Sequence, residues 1–230
     1  MPFDMVVRVL LAAFFTIVAL SYAFRGMGAH ARRKRALIHG GEPGTPERFL
    51  RSTFNVFRVA IWTVCVWRVV DPGIDPLLFP FGALNATWIQ ALGLLAMAGS
   101  FAGVEYVHAY MGEEWRSGVP RPDAMVENLL QQGPFALVRN PMFIAVALGQ
   151  VGLFLALPGV FTALCLVVGL LVLRSQVRIE ERALAATFGP VWSDYAARVA
   201  RWRIAAPRDI RYRVDAPSAR QADARERRRA

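Results

Sequence analysis

This chain predicts an all-α fold: an integral-membrane helical bundle of about five transmembrane helices, with a helical hairpin and a cytoplasmic C-terminal helix. Three observations carry that expectation. Of 230 residues, 55% are hydrophobic and only 19% charged, and the mean hydropathy is +0.35, more apolar than a soluble domain of this size needs. The apolar residues gather into blocks near the roughly 20 residues that a helix needs to cross a bilayer. The basic residues sit at the edges of those blocks.

The blocks, in order, are 5–24, 54–70, 86–110, 141–157 and 159–173. The first is too long and uniform for a signal-peptide core, and no small-residue cleavage site closes it, so it is expected to be a retained span. The last two are short and separated by Pro158-Gly159, a pair that continues a helix poorly; they predict a tight helical hairpin. Residues 174–199 read as helix, broken at Gly189-Pro190, with Leu184 and Phe188 one turn apart on a shared face. The chain then divides into N-terminal spans (1–110), a core carrying the chemical motifs (111–204) and a basic, polar tail (205–230) expected to be disordered.

The formal net charge is +10. Such a charge suggests nucleic acid, but no recognition motif accompanies it. Arg25, Arg32, Arg33, Lys34, Arg35, Arg48 and Arg51 crowd the first loop, whereas the second loop and the hairpin turn have no Lys or Arg. The positive-inside rule therefore predicts the N-terminus outside and the C-terminus in the cytoplasm, in a multi-pass protein of a bacterial inner membrane. Arg58 and Arg68 flank the second block and are expected to snorkel to opposite interfaces. Cys65 and Cys165 both lie inside apolar blocks, which argues against a disulfide framework. His30, His39 and His108 show no metal-ligand spacing, so no metal site is expected.

Two polar motifs stand out. GPFALVRNPMF, residues 133–143, leads directly into the fourth block. Asn140 is a favoured N-cap and Pro141 suits the first helical position, so RNP starts a helix. Arg139 is either an interfacial anchor or, with the helix N-terminus, part of a carboxylate-binding corner. Gln132-Gly133-Pro134 forms a turn that lets backbone approach a ligand. Downstream, Glu180 and Glu181 follow the fifth block; they either pair with neighbouring arginines or present an acidic corner on the same side of the membrane. Together these corners suit a zwitterionic ligand with an extra cationic centre.

Some residues within the spans are weighed for function. Gln150 either lines a channel or bonds another helix. Glu105 and His108, at i, i+3, read as an interfacial pair or as a proton acceptor. Gly99 and Gly103 read chiefly as a helix-packing stripe.

GPFALVRNPMF, a short hairpin and then EERALAATFGPVWSDY resemble the isoprenylcysteine carboxyl methyltransferase and phospholipid methyltransferase family. Its pattern is similar to G-x-Y-x-x-x-R-H-P-x-Y-x-G followed by E-E-x-x-L-x-x-x-F-G-x-x-Y-x-x-Y. Gly133, Phe135, Arg139, Pro141 and Phe143 fit the first part; Glu180, Glu181, Leu184, Phe188, Gly189, Trp192 and Tyr195 fit the second. MGEEWRSG, residues 111–118, resembles a Gly-x-x-Trp segment found ahead of these motifs.

The resemblance implies a membrane methyltransferase using S-adenosylmethionine and a lipophilic acceptor that enters from the bilayer. The acceptor expected is an isoprenylcysteine-type carboxylate, with a phospholipid amine or a small thiol as alternatives. It implies a cofactor pocket of Gln132, Gly133, Phe135, Val138, Arg139, Asn140, Pro141, Glu180, Glu181, Leu184 and Tyr195, with Arg139 and Glu181 catalytic and Gln150, Glu105 and His108 facing the acceptor. Two positions depart from the pattern: Asn140 replaces the usual His and Ala145 the usual Gly. Trp192 ahead of Tyr195 also resembles sterol reductases, which bind a nicotinamide cofactor; a non-enzymatic membrane scaffold is the third reading.

Overall fold

The computed structural model describes residues 3–33, 43–112 and 128–203. Lys34, Arg35, most of the MGEEWRSG motif and the tail 205–230 lie outside them. The described residues form helices α1 (Phe3–Arg33), α2 (Pro46–Val70), α3 (Thr87–Met111), a one-turn α4 (Pro134–Leu137), α5 (Pro141–Ala156), α6 (Val160–Phe188) and α7 (Pro190–Arg198). Two short 3-10 turns join α2 to α3, and no strand occurs among the described residues.

Four helices, α1, α2, α3 and α6, are long and apolar enough to cross a membrane. The fourth expected span, α5, has only 16 residues, about 24 Å at 1.5 Å per residue, short of the roughly 30 Å hydrocarbon core. A second difference concerns α6. Its 29 residues run without interruption through the position where the fifth block ends. That length, about 43 Å, carries Arg174 to Phe188 beyond the apolar stretch on the same rigid rod.

The helix ends follow from local chemistry. Thr45 caps α2 by accepting from the Arg48 amide at 3.4 Å, with Pro46 in the first turn. Asp71 closes α2 and accepts from the Gly73 amide at 2.8 Å. The Leu157-Pro158-Gly159 turn joins α5 to α6 as the expected hairpin. It is pinned from both sides: Phe81 N–H donates to Pro158 C=O at 3.0 Å and Val160 N–H to Phe79 C=O at 3.1 Å. Gly189, at φ +52°, and Pro190 separate α6 from α7 where a break was expected.

The tightest crossing is α3 on α5. Gly93 and Gly152 let the two backbones meet: a Cβ on Gly152 would lie 2.8 Å from Gly93 O and 2.9 Å from Met97 N. Ala145, which departs from the family pattern, packs at Gly103. Gly99 instead faces open space, so only one glycine of the expected stripe makes a helix contact. Leu11 and Val7 of α1, Cys65 of α2, Met97 of α3, and Leu153 and Ala156 of α5 form the buried core. Large apolar side chains point outward elsewhere, such as Leu20, Leu95 and Leu171. A soluble protein would hide that many; a bilayer solvates them.

Arg68 departs from expectation. It does not snorkel but is buried, donating from Nε to Asp75 Oδ1 at 2.5 Å, while Arg8 Nη2 donates to Asp75 Oδ2 at 2.7 Å. One carboxylate thus ties α1, α2 and the 3-10 turn together. Burial pushes the Asp75 pKa up, but the hydrogen bonds from Arg68 and Arg8 outweigh it and hold the pKa below the usual carboxylate value.

A candidate active site

α4, the start of α5, the polar end of α6 and α7 converge on one cluster of charges. Gly133 makes the turn into α4 at φ +58°, a conformation that favours glycine, and a Cβ there would overlap the Tyr110 ring. Tyr195 on α7 is buried and donates its hydroxyl to Phe135 C=O at 2.8 Å, locking α7 onto α4. Burial raises its pKa well above the usual phenol value, so it stays a donor. Leu184 and Phe188 share the expected face and pack against Trp192, Tyr195 and Val199.

Glu181 lies at the centre of the cluster and is buried. Asn140 Nδ2 donates to its Oε1 at 2.9 Å, and Arg139 Nε stands 3.4 Å from the same oxygen. Arg201 reaches Oε2 with Nε at 2.9 Å and Nη2 at 2.6 Å. These two bonds to one carboxylate oxygen raise the Arg201 pKa. Asn140 therefore occupies the N-cap position of α5 without capping it by its side chain. Its amide is spent on Glu181 instead, which the cap preference did not foretell. Arg139 also donates from Nη1 to Ala196 C=O at 3.4 Å and lies 5.8 Å from the Trp192 ring centroid. The two motifs of opposite charge thus meet each other directly.

Glu180 points elsewhere. It lines a large cavity, and its Oε1 is 3.5 Å from Gln176 Nε2, at the limit of a hydrogen bond. The cavity measures about 910 Å³ and runs between α1, α2, α3, α5 and α6. It joins this polar corner to apolar walls that include Phe14, Phe57, Phe101 and Leu166. Of the expected site residues, Phe135, Arg139, Asn140, Pro141, Glu180, Leu184 and Tyr195 line it, as do Glu105, His108 and Gln150. Gln132, Gly133, Val138 and Glu181 are not part of its lining. His108 Nδ1 lies 3.9 Å from Glu105 Oε1 on the cavity wall. Gln150 packs its amide against Gly169 with neither polar atom hydrogen-bonded.

Sequence reasoning missed Arg201, although its place in the arginine-rich RVARWR run just beyond the second motif was a signal. Arg58 stacks over the Tyr22 ring at 4.9 Å and lines the cavity. No group of three His, Cys, Asp or Glu among the described residues is placed to hold a metal ion.

The model of the phospholipid methyltransferase family matches residues 88–191, from α3 into α7. The match includes both polar motifs up to Val191, while α1, α2 and Tyr195 lie outside it. The chain is also 25% identical over 166 residues to the cobalt-zinc-cadmium resistance protein CzcN of Cupriavidus metallidurans, covering 70% of each chain. No solved structure matches the chain significantly. The match over these residues supports a membrane methyltransferase, and the four long apolar helices fit a multi-pass membrane protein.

Proposed function

We propose that this protein transfers a methyl group from S-adenosylmethionine to a lipophilic acceptor drawn from the bilayer. One observation carries the reading. A single cavity joins an available acid, Glu180, and a cation, Arg139, to an apolar chamber walled by transmembrane helices.

The residues present fit the donor. Glu180 has only one long hydrogen bond, so its carboxylate can face a cationic ligand. Phe135 offers an aromatic wall, tilted against Tyr110 at 6.2 Å between ring centroids. When bound, the donor supplies an electrophilic methyl on a sulfonium. Glu180 is the residue that holds its cationic end, and Arg139 orients the carboxylate of donor or acceptor. Glu181 is a positioning residue: it fixes Arg139 and Asn140 at the start of α5 rather than touching ligand. The protein's share of catalysis is chiefly to hold donor and acceptor in line and exclude water.

The acceptor favoured is an isoprenylcysteine-type carboxylate. With a reference pKa of about 4, it is already ionised at neutral pH and needs no base. A phospholipid amine must first lose a proton, and the Glu105–His108 pair on the cavity wall is then the acceptor of that proton. A small thiol is the remaining alternative. The cluster lies on the cytoplasmic side in this reading, by the positive-inside distribution of arginine.

Thermal denaturation of the purified protein in detergent tests the donor. Stabilisation by S-adenosylhomocysteine is expected, and stabilisation by NADPH instead would replace this reading with a reductase. Labelled methyl donor incubated with lipid extract then identifies the product class.

A further inference from the structure

The α1–α2 wall of the cavity carries charge that the methyl-transfer machinery does not use. Arg58 lies four residues inside the apolar block that begins at Phe54. Its guanidinium stacks on Tyr22 of the neighbouring helix, and no carboxylate among the described residues pairs with it. The contrast within α2 is sharp, because Arg68 is neutralised by Asp75. A guanidinium in an apolar wall without a counter-charge is costly, and such residues commonly mark a ligand. Arg51 stands seven residues earlier, two helical turns away on the same face, and donates from Nη2 to the Tyr22 hydroxyl at 3.2 Å. Two arginines therefore converge on one ring, and all three side chains line the cavity. The forked donors of Arg58 suit an oxyanion. Apolar side chains around them, Phe54, Phe57 and Trp62 among others, suit a hydrocarbon tail.

Resting on the methyltransferase reading, we propose that Arg58, Arg51 and Tyr22 form a headgroup subsite for an anionic group of the acceptor. That group is a phosphate or carboxylate, distinct from the atom that is methylated. Because α1 and α2 lie outside the family match at residues 88–191, this subsite sets acceptor choice in a part of the chain separate from the donor site.

The test uses the full-length protein in detergent and four probes: hexadecyl phosphate, palmitate, hexadecanol and inorganic phosphate. Hexadecyl phosphate and palmitate are expected to bind at least about tenfold more tightly than hexadecanol, the size of one or more charge-assisted hydrogen bonds. Arg58→Gln should erase that preference while hexadecanol affinity and S-adenosylhomocysteine affinity stay within about twofold. Arg51→Gln should reduce the preference in part, which keeps the test open if Arg58→Gln fails to fold. Equal binding of hexadecanol and the anions by the wild type, or an unchanged preference in both variants, overturns the subsite. Inorganic phosphate binding as tightly as hexadecyl phosphate overturns its lipid character. S-adenosylhomocysteine binding without any anion preference sinks the subsite alone; loss of S-adenosylhomocysteine binding in the wild type sinks the donor reading alone.

Discussion

Glu180 and Glu181 are adjacent in sequence and opposite in circumstance. Glu181 is saturated by Arg139, Asn140 and Arg201, whereas Glu180 faces the cavity with one long hydrogen bond. The two should therefore fail differently when changed. Glu180→Gln should weaken S-adenosylhomocysteine binding by about tenfold, the scale of one charge-assisted contact, with little change in melting temperature. Glu181→Ala should lower the melting temperature, since removing one partner of a buried charge cluster costs about 3 kcal/mol or more. Calorimetry and thermal denaturation on both variants check the split; equal loss of ligand affinity and unchanged stability in both would refute it. Asn140 gives a sharper case. Asn140→Asp keeps the shape, removes the donor to Glu181 and sets a second carboxylate 2.9 Å from the first. It should lower both melting temperature and methyl transfer, while Asn140→His, which keeps an N–H donor, should retain more of each. The residue types at this site were legible in the sequence, but their division of labour was not. Helical periodicity places neighbouring acids about 100° apart, and which one meets Arg201 depends on how α7 folds back.

At the scale of elements, the α3–α5 crossing and the Asp75 tie are the joints of the bundle. The crossing relies on absent side chains, so Gly93→Val should push the backbones apart, with an overpacking cost of about 1–3 kcal/mol. A broadened or shifted size-exclusion peak relative to the wild type would register it. The Asp75 tie makes a prediction about pH. Its folded pKa is depressed, so its contribution is fully present above the ordinary carboxylate value and is lost as pH falls through the lower folded value. Melting temperature should therefore drop on acidification, and Asp75→Asn should flatten that part of the curve while lowering the plateau above it. A wild-type profile flat down to strongly acid pH would contradict the tie. The hairpin at Pro158-Gly159 and the break at Gly189-Pro190 were readable in advance because proline and glycine act locally. The Arg8–Asp75–Arg68 tie was not, since Arg8 and Asp75 are 67 positions apart. A pattern of charges near span ends describes snorkelling and ion pairing equally well.

The whole molecule is a bundle whose outer surface is solvated by lipid and whose interior holds a chamber reaching the charge cluster. Block lengths and arginine placement made the bundle legible, because both answer to the bilayer. The chamber was not legible, for a void is a property of packing between helices and leaves no periodicity in any one of them. Its proposed use requires that Glu180 and α7 stand on the cytoplasmic side, the side expected from the arginine distribution. Two free cysteines, both buried, give a quiet background for testing this by labelling. Leu77 lies in the 3-10 turn between α2 and α3 and Ala186 near the end of α6; both are exposed. In bacterial spheroplasts, a membrane-impermeant maleimide should label Leu77→Cys and spare Ala186→Cys. Inside-out vesicles should give the reverse. Labelling of both from outside would mean an even number of crossings by α3, α5 and α6 between the two positions. That outcome would put the charge cluster out of reach of a cytosolic donor and remove the basis for the proposed reaction.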